Sequence, residues 1–435
     1  MTSITTVDGL VSGLQTSSII SQLMQLEARP QTNMKDQVAK EGGVVTAYQS
    51  VNTKMAALKT AAEALTSASA WQSAKVSSSS TGITATATAG AIAGTSTFDV
   101  KRLAATHVMT ALVPPTGVTA GHGLDLTVGG ELPVHVDVDD DTPQGVADAI
   151  NAAGLGVRAS VVQTDQGTVL QMTAAKSGTA AAFNVTGLTV GASIVTQGVD
   201  AQIAVGDPAA GGYTVASATN TFTGVIPNVT FTASAKQDGV SLTVVSDSGS
   251  IADKMQTMID AANGALSQIS TLTAYAAGGK ASALSGDYAV RQLQSHLLSG
   301  ISSGQADYGS FKQVGIQLDS SGKIKFDRAA FLAAYDANPT AVQGAVSDGL
   351  ATTLQAVAKK ATDFTTGSLT TAIQSHNDRV SALNHKITDW DTRLADKQAS
   401  LQRQYSNLES ALGKMKNQSS WLSGQIAGLQ NNSNG

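Results

Sequence analysis

Cysteine is absent from the 435 residues. That excludes disulfides, thiolate metal sites and thiol chemistry, while saying little about compartment, since a secreted chain of this size could use disulfides but is large enough to bury a core without them. Aromatic residues are also scarce, at 4%. Large buried side chains supply roughly 1.5–3 kcal/mol each. A chain poor in them and rich in Ala, Ser, Thr and Gly favours several small or elongated layers over one thick core. Charged residues make up 14% and the net charge is −5, with no basic patch of the kind that binds nucleic acid or an anionic membrane. No apolar run approaches the ~18 residues that span a bilayer. The first positive charge is Arg29 and Met1–Leu14 is polar, so no cleaved Sec-type leader is expected.

Catalytic signatures are missing as well. The sequence holds no H-E-x-x-H, no G-x-S-x-G and no Walker loop. Gly278-Gly279-Lys280 lacks the rest of a phosphate loop and is expected to end a helix. His107, His122, His135, His296, His376 and His385 include no pair at ligand spacing; His376, near a helical seam, is expected to be structural. The run Asp137, Asp139, Asp140, Asp141 lacks the Gly and distal Glu of an EF-type loop. It is expected to be a solvated turn leading into a helix, with its charge favourable at that helix N-terminus. Neither a metal nor a cofactor is expected.

What is present is helix at both ends and β-structure between them. Near the start, Thr16, Ser17 and Ser18 offer an N-cap before Ile19, Ile20, Leu23 and Leu26. Pro30 interrupts this helix or starts another. After an expected break at Gly42-Gly43, the set Val44, Tyr48, Val51, Met55, Leu58, Ala62, Leu65 alternates steps of four and three, a heptad seam. From Gly367 to the end there is no proline. Val380, Leu383, Ile387, Trp390 and Leu394 make a second seam. It resumes at Leu401, Tyr405, Leu408, Leu412, Met415, Ser419, Leu422, Ile426 and Leu429. The gap implies a stutter near Lys397-Gln398. A long helix with one apolar stripe needs partner helices.

Residues 76–250 are rich in Thr, Val, Ser and Gly, with alternation at 83–88, Leu132–Val138, Val157–Val162 and Thr168–Thr173. Asp165-Gln166-Gly167 reads as a hairpin turn. One helix is signalled within this stretch: Thr142 as N-cap, Pro143 at its first position, Val146, Ala149 and Ile150 on the buried face, Gly154 as stop. Helices return from Ile251 through Met255, Met258, Ile259, Leu266, Ile269 and Leu272. A Ser321-Gly322 turn joins two short strands, and Asp327 caps a helix over 328–337 that stops before Asn338-Pro339.

The expected fold is α+β and multidomain: an antiparallel helical, coiled-coil stalk formed by both termini, with a discontinuous β-rich head of two small domains. The expected divisions are 1–40 with 376–435 as the coiled-coil domain and 41–75 with 251–375 as a mainly helical core. The β-rich head is expected at 76–110 with 199–250, and an inserted β-rich domain with one helix at 111–198.

The most specific stretch is the opening, Gly9-Leu10-Val11-Ser12-Gly13-Leu14-Gln15-Thr16, followed by Leu23-Met24, Glu27 and Pro30. It resembles the N-terminus of the flagellar filament cap family, the FliD-like hook-associated proteins, with Gln15 where that family usually has Asp. Further stretches resemble the family in order. These are Phe98–Ala104, Ala149–Asn151 through Val161, Leu284–Asp287, Val314–Ile316, Gly322, Phe326-Asp327, Asn338-Pro339, Gly367–Leu369, and Arg403–Tyr405 with Asn417–Leu422. Leu408 stands where Phe is common. The match is loosest over 105–140 and 175–198.

The resemblance implies a non-enzymatic protein exported through the flagellar type III channel with the help of a cytoplasmic chaperone. It implies a ring-shaped homo-oligomer, pentameric in the family's usual description, seated at the filament tip and guiding flagellin into place. The expected assembly face is Leu10, Leu14, Ile19, Leu23 and Leu26 with Leu408, Leu412, Met415, Leu422, Ile426 and Leu429. The same residues also fit an intramolecular coiled coil, and the two roles are not exclusive. Another axial flagellar protein (a flagellin or a hook–filament junction subunit) would share helical ends and a variable centre. A surface adhesin would share the Thr/Ser-rich head.

Overall fold

Pro30, lacking an N–H, fits the first turn of a helix, where that donor has no partner. A computed structural model describes residues 13, 15–275, 281–305 and 308–432, and side chains only as far as residue 427. In it α1 (Thr16–Glu27) gives way at Ala28 to α2 (Arg29–Thr66), so Pro30 opens a second helix. The break expected at Gly42-Gly43 does not occur, because α2 runs through both glycines. The seam residues just beyond them, Val51, Met55, Leu58, Ala62 and Leu65, are fully buried. Their packing outweighs the roughly 1 kcal/mol each that glycine costs in a helix. The seam starts at Val45 and Tyr48; Val44 is only half-buried. The expected hydroxyl cap also fails. Gln15 holds the cap position of α1 without a side-chain cap bond, and Thr16 is already helical and buried.

After the one-turn α3 (Ala68–Trp71) come β1 (Ala74–Ser78), β2 (Ile83–Ala87) and β3 (Gly94–Arg102). The chain then passes through β4 (Thr106–Leu112), β5 (Gly123–Val128), β6 (Val134–Asp137), α4 (Pro143–Ala153), β7 (Val157–Thr164), β8 (Gly167–Ser177), β9 (Phe183–Thr186) and β10 (Ser193–Thr196). It returns through β11 (Ala201–Val205), β12 (Tyr213–Ser217), β13 (Thr221–Ile226), β14 (Val229–Ala233) and β15 (Gln237–Ser246). Helices α5 (Ser248–Thr273) and α6 (Tyr288–Ser302), the hairpin β16 (Ile316–Leu318) and β17 (Ile324–Phe326), and α7 (Arg328–Ala337) and α8 (Pro339–Gln343) follow. A π-helical segment over Gly344–Ala351 leads into α9 (Thr352–Thr362), and α10 (Ser368–Asn432) closes the chain.

The described residues form two compact units. One takes the chain up to Glu63 with 256–330 and 344 onward; the other takes Ala64–Met255 with Phe331–Gln343. In the second unit β15 pairs antiparallel with both β1 and β3 in the order β1-β15-β3-β11-β12. This sheet and the sheet β13-β14-β2 enclose one apolar cluster. Phe98 and Phe222 stack on Phe231 at 4.8 and 5.3 Å between ring centroids. Tyr335 of α7 stacks on Trp71 at 6.1 Å.

A separate cluster fills the inserted stretch, between the sheets β10-β4-β8-β7 and β6-β5-β9 and under α4. Thr142 Oγ1 caps α4 by accepting from Gly145 N at 3.2 Å, Pro143 starts it and left-handed Gly154 ends it, as the sequence predicts. Its buried face is Val146, Ala147 and Ile150; Ala149, expected there, is half-buried. The Asp165-Gln166 turn joins β7 to β8 with Thr164 opposite Gly167. The acidic run fixes loops: Asp141 Oδ1 accepts from Thr119 N at 2.7 Å and Asp140 Oδ1 from Thr142 N at 3.2 Å.

In the helical unit, side chains close the helix starts. Asp287 caps α6 through Val290 N at 2.9 Å, and Asp327 caps α7 through Ala330 N at 3.0 Å. The Ser321-Gly322 turn is held by Asp319 Oδ1, with Gly322 at φ +78°. Gly278-Gly279-Lys280 lies outside the described residues.

Candidate functional site

The site is built on the 65-residue helix α10, which no proline interrupts. Its first third is tied to α2. Glu41 Oε2 lies 2.5 Å from His376 Nδ1, and Glu41 Oε1 accepts from Arg379 at 3.1 Å. The hydrogen bond from His376 holds the Glu41 carboxyl below its ordinary 4.5; burial opposes this and Arg379 assists. The His376 ring sits 5.6 Å from the Tyr48 ring. Tyr48, buried in the α2 seam, donates its hydroxyl proton to Asp287, the cap of α6. Burial, then Asp287, pushes the Tyr48 hydroxyl pKa up. One connected set of polar groups thus joins α10, α2 and α6 at the root of the terminal helices. His376 is structural, as expected.

Farther along, the helices run antiparallel. Gln31 of α2 donates to Asp391, Trp390 Nε1 donates to the Glu27 carbonyl at 3.3 Å, and Lys397 pairs with Glu27 at 3.9 Å. Helix α1 then lies along α10 with a groove between them lined by Ile20, Met24, Leu394, Gln398 and Gln402. Three of those α10 residues follow steps of four. The seam shifts there while α10 stays α-helical throughout. A strict seam would continue at Lys397 and Leu401; Gln398 holds the extra step of four that makes the stutter, and Gln402 lies beside the seam.

The expected assembly residues divide as follows. Leu10 and Leu14 lie outside the described residues, as does the Leu429 side chain. Ile19 and Leu412 are half-buried. Leu23 and Leu26 are 38% and 56% exposed, and Leu408, Met415, Leu422 and Ile426 are 45–57% exposed. The antiparallel order puts Leu26, next to Glu27, level with the stretch 390–397 of α10. The two described groups of leucines are therefore separate patches. Between Leu408 and Ile426 the spacing is seven, seven and four, so the exposed groups lie in one stripe. Trp421, 64% exposed, lies on the neighbouring face of the same helix.

Three family models match the chain: the flagellar hook-associated protein 2 N-terminus over residues 12–107, its C-terminus over 198–417, and the flagellin hook IN motif over 124–176. The flagellar hook-associated protein 2 of Escherichia coli (strain K12) is 26% identical across 98% of both chains. The lateral flagellar hook-associated protein 2 of Vibrio parahaemolyticus is 25% identical, covering 74% of this chain and 76% of its own. Among solved structures, the D1-D2-D3 domains of the Escherichia coli flagellar cap protein FliD superpose with a TM-score of 0.61 at 25% identity. They cover 76% of this chain and 99% of that one.

Proposed function

The chain belongs to the flagellar hook-associated protein 2 family, and from that premise we propose that it caps the flagellar filament, forming an oligomeric plate at the tip that promotes flagellin polymerisation and filament elongation. The observation that carries the proposal beyond family membership is the stripe Leu408, Met415, Leu422, Ile426. It is apolar, heptad-spaced and about half exposed in the single chain. Such a stripe on a soluble helix is covered in use. Its occupants would be neighbouring subunits and flagellin, with Leu412 and Leu429 completing the stripe and Leu10, Leu14, Ile19, Leu23 and Leu26 forming a second assembly patch.

The ring is a homo-oligomer, taken as a pentamer. The chain reaches the tip through the flagellar export apparatus, escorted by a cytoplasmic chaperone. The terminal helices (1–40 and 376–435) form the assembling stalk, and 41–75 with 251–375 its helical base. The modules 76–110 with 199–250 and 111–198 form the head plate. The role is structural, with no turnover.

Deletion of the gene with complementation tests the reading. Cells lacking the protein are expected to carry short or absent filaments and to lose flagellin monomer to the medium; normal filaments would refute it. Electron microscopy of the purified protein separates a cap, which closes into rings, from other axial subunits, which grow long polymers.

A further inference from the structure

Between the two β-rich modules the chain crosses twice, at Ala105 on the way out and at Val199 on the way back. Ala105 N donates to Val199 O at 2.9 Å and Val199 N to Ala105 O at 3.3 Å. Around this crossing Ser177 Oγ donates to Ala218 O at 2.7 Å, Gly178 N to Ala105 O at 3.2 Å and Thr179 N to Asp200 Oδ1 at 2.7 Å. The junction is narrow and made of hydrogen bonds, whereas each module has its own apolar cluster.

His107 stands beside it. The side chain is 2% exposed, points inward from β4 and meets Phe183 edge-on at 4.9 Å between centroids. Its Nδ1 accepts from Gly198 N at 3.0 Å. The ring proton therefore sits on Nε2, which is buried and has no partner at ordinary hydrogen-bond geometry, the backbone of Phe183 being the group that favours a charged ring. Gly198 passes so close that a Cβ there would lie 3.0 Å from His107 Cβ. The returning strand is thus held by a neutral imidazole acting as an acceptor. A second proton would go on Nδ1, turning the acceptor into a donor aimed at a donor, and would leave a buried cation with no anion on it.

The charged groups on the surrounding segments are Arg102, Lys176 and Asp200. The Arg102 Nε donates to the Asp200 carbonyl at 2.8 Å, the Asp200 carboxylate is taken by Thr179 N, and Lys176 is exposed. None of them bonds the ring.

We infer that His107 is an acid-sensitive latch for the inserted module: neutral, it fastens the double crossing at Gly198, and protonated, it frees the crossing while both apolar clusters stay folded. Burial lowers the His107 pKa from its ordinary 6.5, and the backbone of Phe183 opposes the shift without reversing it. The latched form therefore binds fewer protons than the opened form. Its stabilisation is complete above 6.5 and falls as pH drops from 6.5 towards the lowered value. His135 has the opposite sign. Its hydrogen bond to Asp125 raises its pKa, burial opposes this, and the charges of Asp125 and Asp137 reinforce the rise. What it contributes is lost on the alkaline side.

Amide hydrogen exchange on the full chain, divided by intrinsic rates, tests the latch. The opening constant at Gly198, Val199 and Gly178 is expected to rise about tenfold per pH unit below 6.5. The amides of Leu170 and Leu242, one in each cluster, are expected to stay level. In His107→Asn, whose side-chain oxygen can accept from Gly198 without titrating, the profile at the junction is expected to be flat. An unchanging opening constant in the native chain, or the same slope in His107→Asn, would overturn the inference. Should that variant fail to fold, the NMR titration of His107 in the native chain still decides. A value at or above 6.5 refutes the latch.

Discussion

Replacing Gly42 and Gly43 together by alanine probes the helix that the sequence appeared to break. Both residues lie inside α2, neither has positive φ, and an added Cβ on either would meet nothing within 4 Å. No overpacking offsets the gain. Glycine costs about 1 kcal/mol relative to alanine in a helix interior, so the pair amounts to about 2 kcal/mol. The bond from Thr46 Oγ1 to the Gly42 carbonyl, 3.0 Å, does not depend on the side chain and survives. The expected result in guanidinium unfolding is a higher midpoint for the helical unit at an unchanged slope. Exchange of the amides at 44–48, where opening is local, should slow roughly 30-fold, since every 1.4 kcal/mol is tenfold. No change, or a loss of stability, would refute the reasoning. It would mean that the two glycines serve the helix through something other than their cost in helix propensity.

Three further outcomes follow from the same geometry. Leu422→Asp should reduce self-association roughly 4- to 12-fold by analytical ultracentrifugation while the β-rich clusters remain folded, since about half of the side chain's ~1.5–3 kcal/mol of burial is still to be gained; unchanged oligomer size contradicts the proposed face. Glu41→Gln should destabilise the helical unit by about 1–2 kcal/mol through weakened bonds to His376 and Arg379. Because the Glu41 pKa is depressed, the native chain should lose that contribution as pH falls below 4.5 and through the lowered value, and the variant should not. The check is a pH series of denaturation midpoints. Thr142→Ala should cost about 1 kcal/mol by removing the cap of α4, with Thr142→Ser restoring most of it.

Where an element's limits are written in local chemistry, they could be read from the sequence. Thr142, Pro143 and Gly154 bound α4, the Asp165-Gln166 turn sets the β7–β8 hairpin, and the alternation of four and three from Tyr48 to Leu65 identifies a face that is buried in full. Where long-range packing decides, the sequence misleads. Gly42-Gly43 has the local signature of a break, but tertiary burial on the same helix overrides it. Ala149 and Ala147 are alike in composition, and only the tilt of α4 on its sheets sets which is covered. The π segment over Gly344–Ala351 carries no sequence mark, and Thr352 Oγ1 just beyond it reaches back to the Ser347 carbonyl at 2.7 Å. The candidate site was legible as a stripe, though not as one surface, because the antiparallel register of α1 on α10 is set by Glu27, Gln31, Trp390 and Lys397 and not by apolar spacing. His107, a lone histidine in a Thr-rich stretch, gives no hint of Gly198, which lies 91 residues on.

The length of α10 has a consequence for what can cover it. At about 1.5 Å per residue, its 65 residues extend about 97 Å. The stripe from Leu408 to Ile426 measures about 27 Å. That distance acts as a ruler. Any body that shields the stripe has to present a continuous apolar track of about five helical turns, and a shorter one leaves apolar side chains wet at one end. It also sets a tolerance. Since the contacts repeat every seven residues, about 10.5 Å, a partner displaced by one repeat meets an almost equivalent set of side chains. On the proposed assembly face, a partner would then have more than one height at which to grip along the same axis.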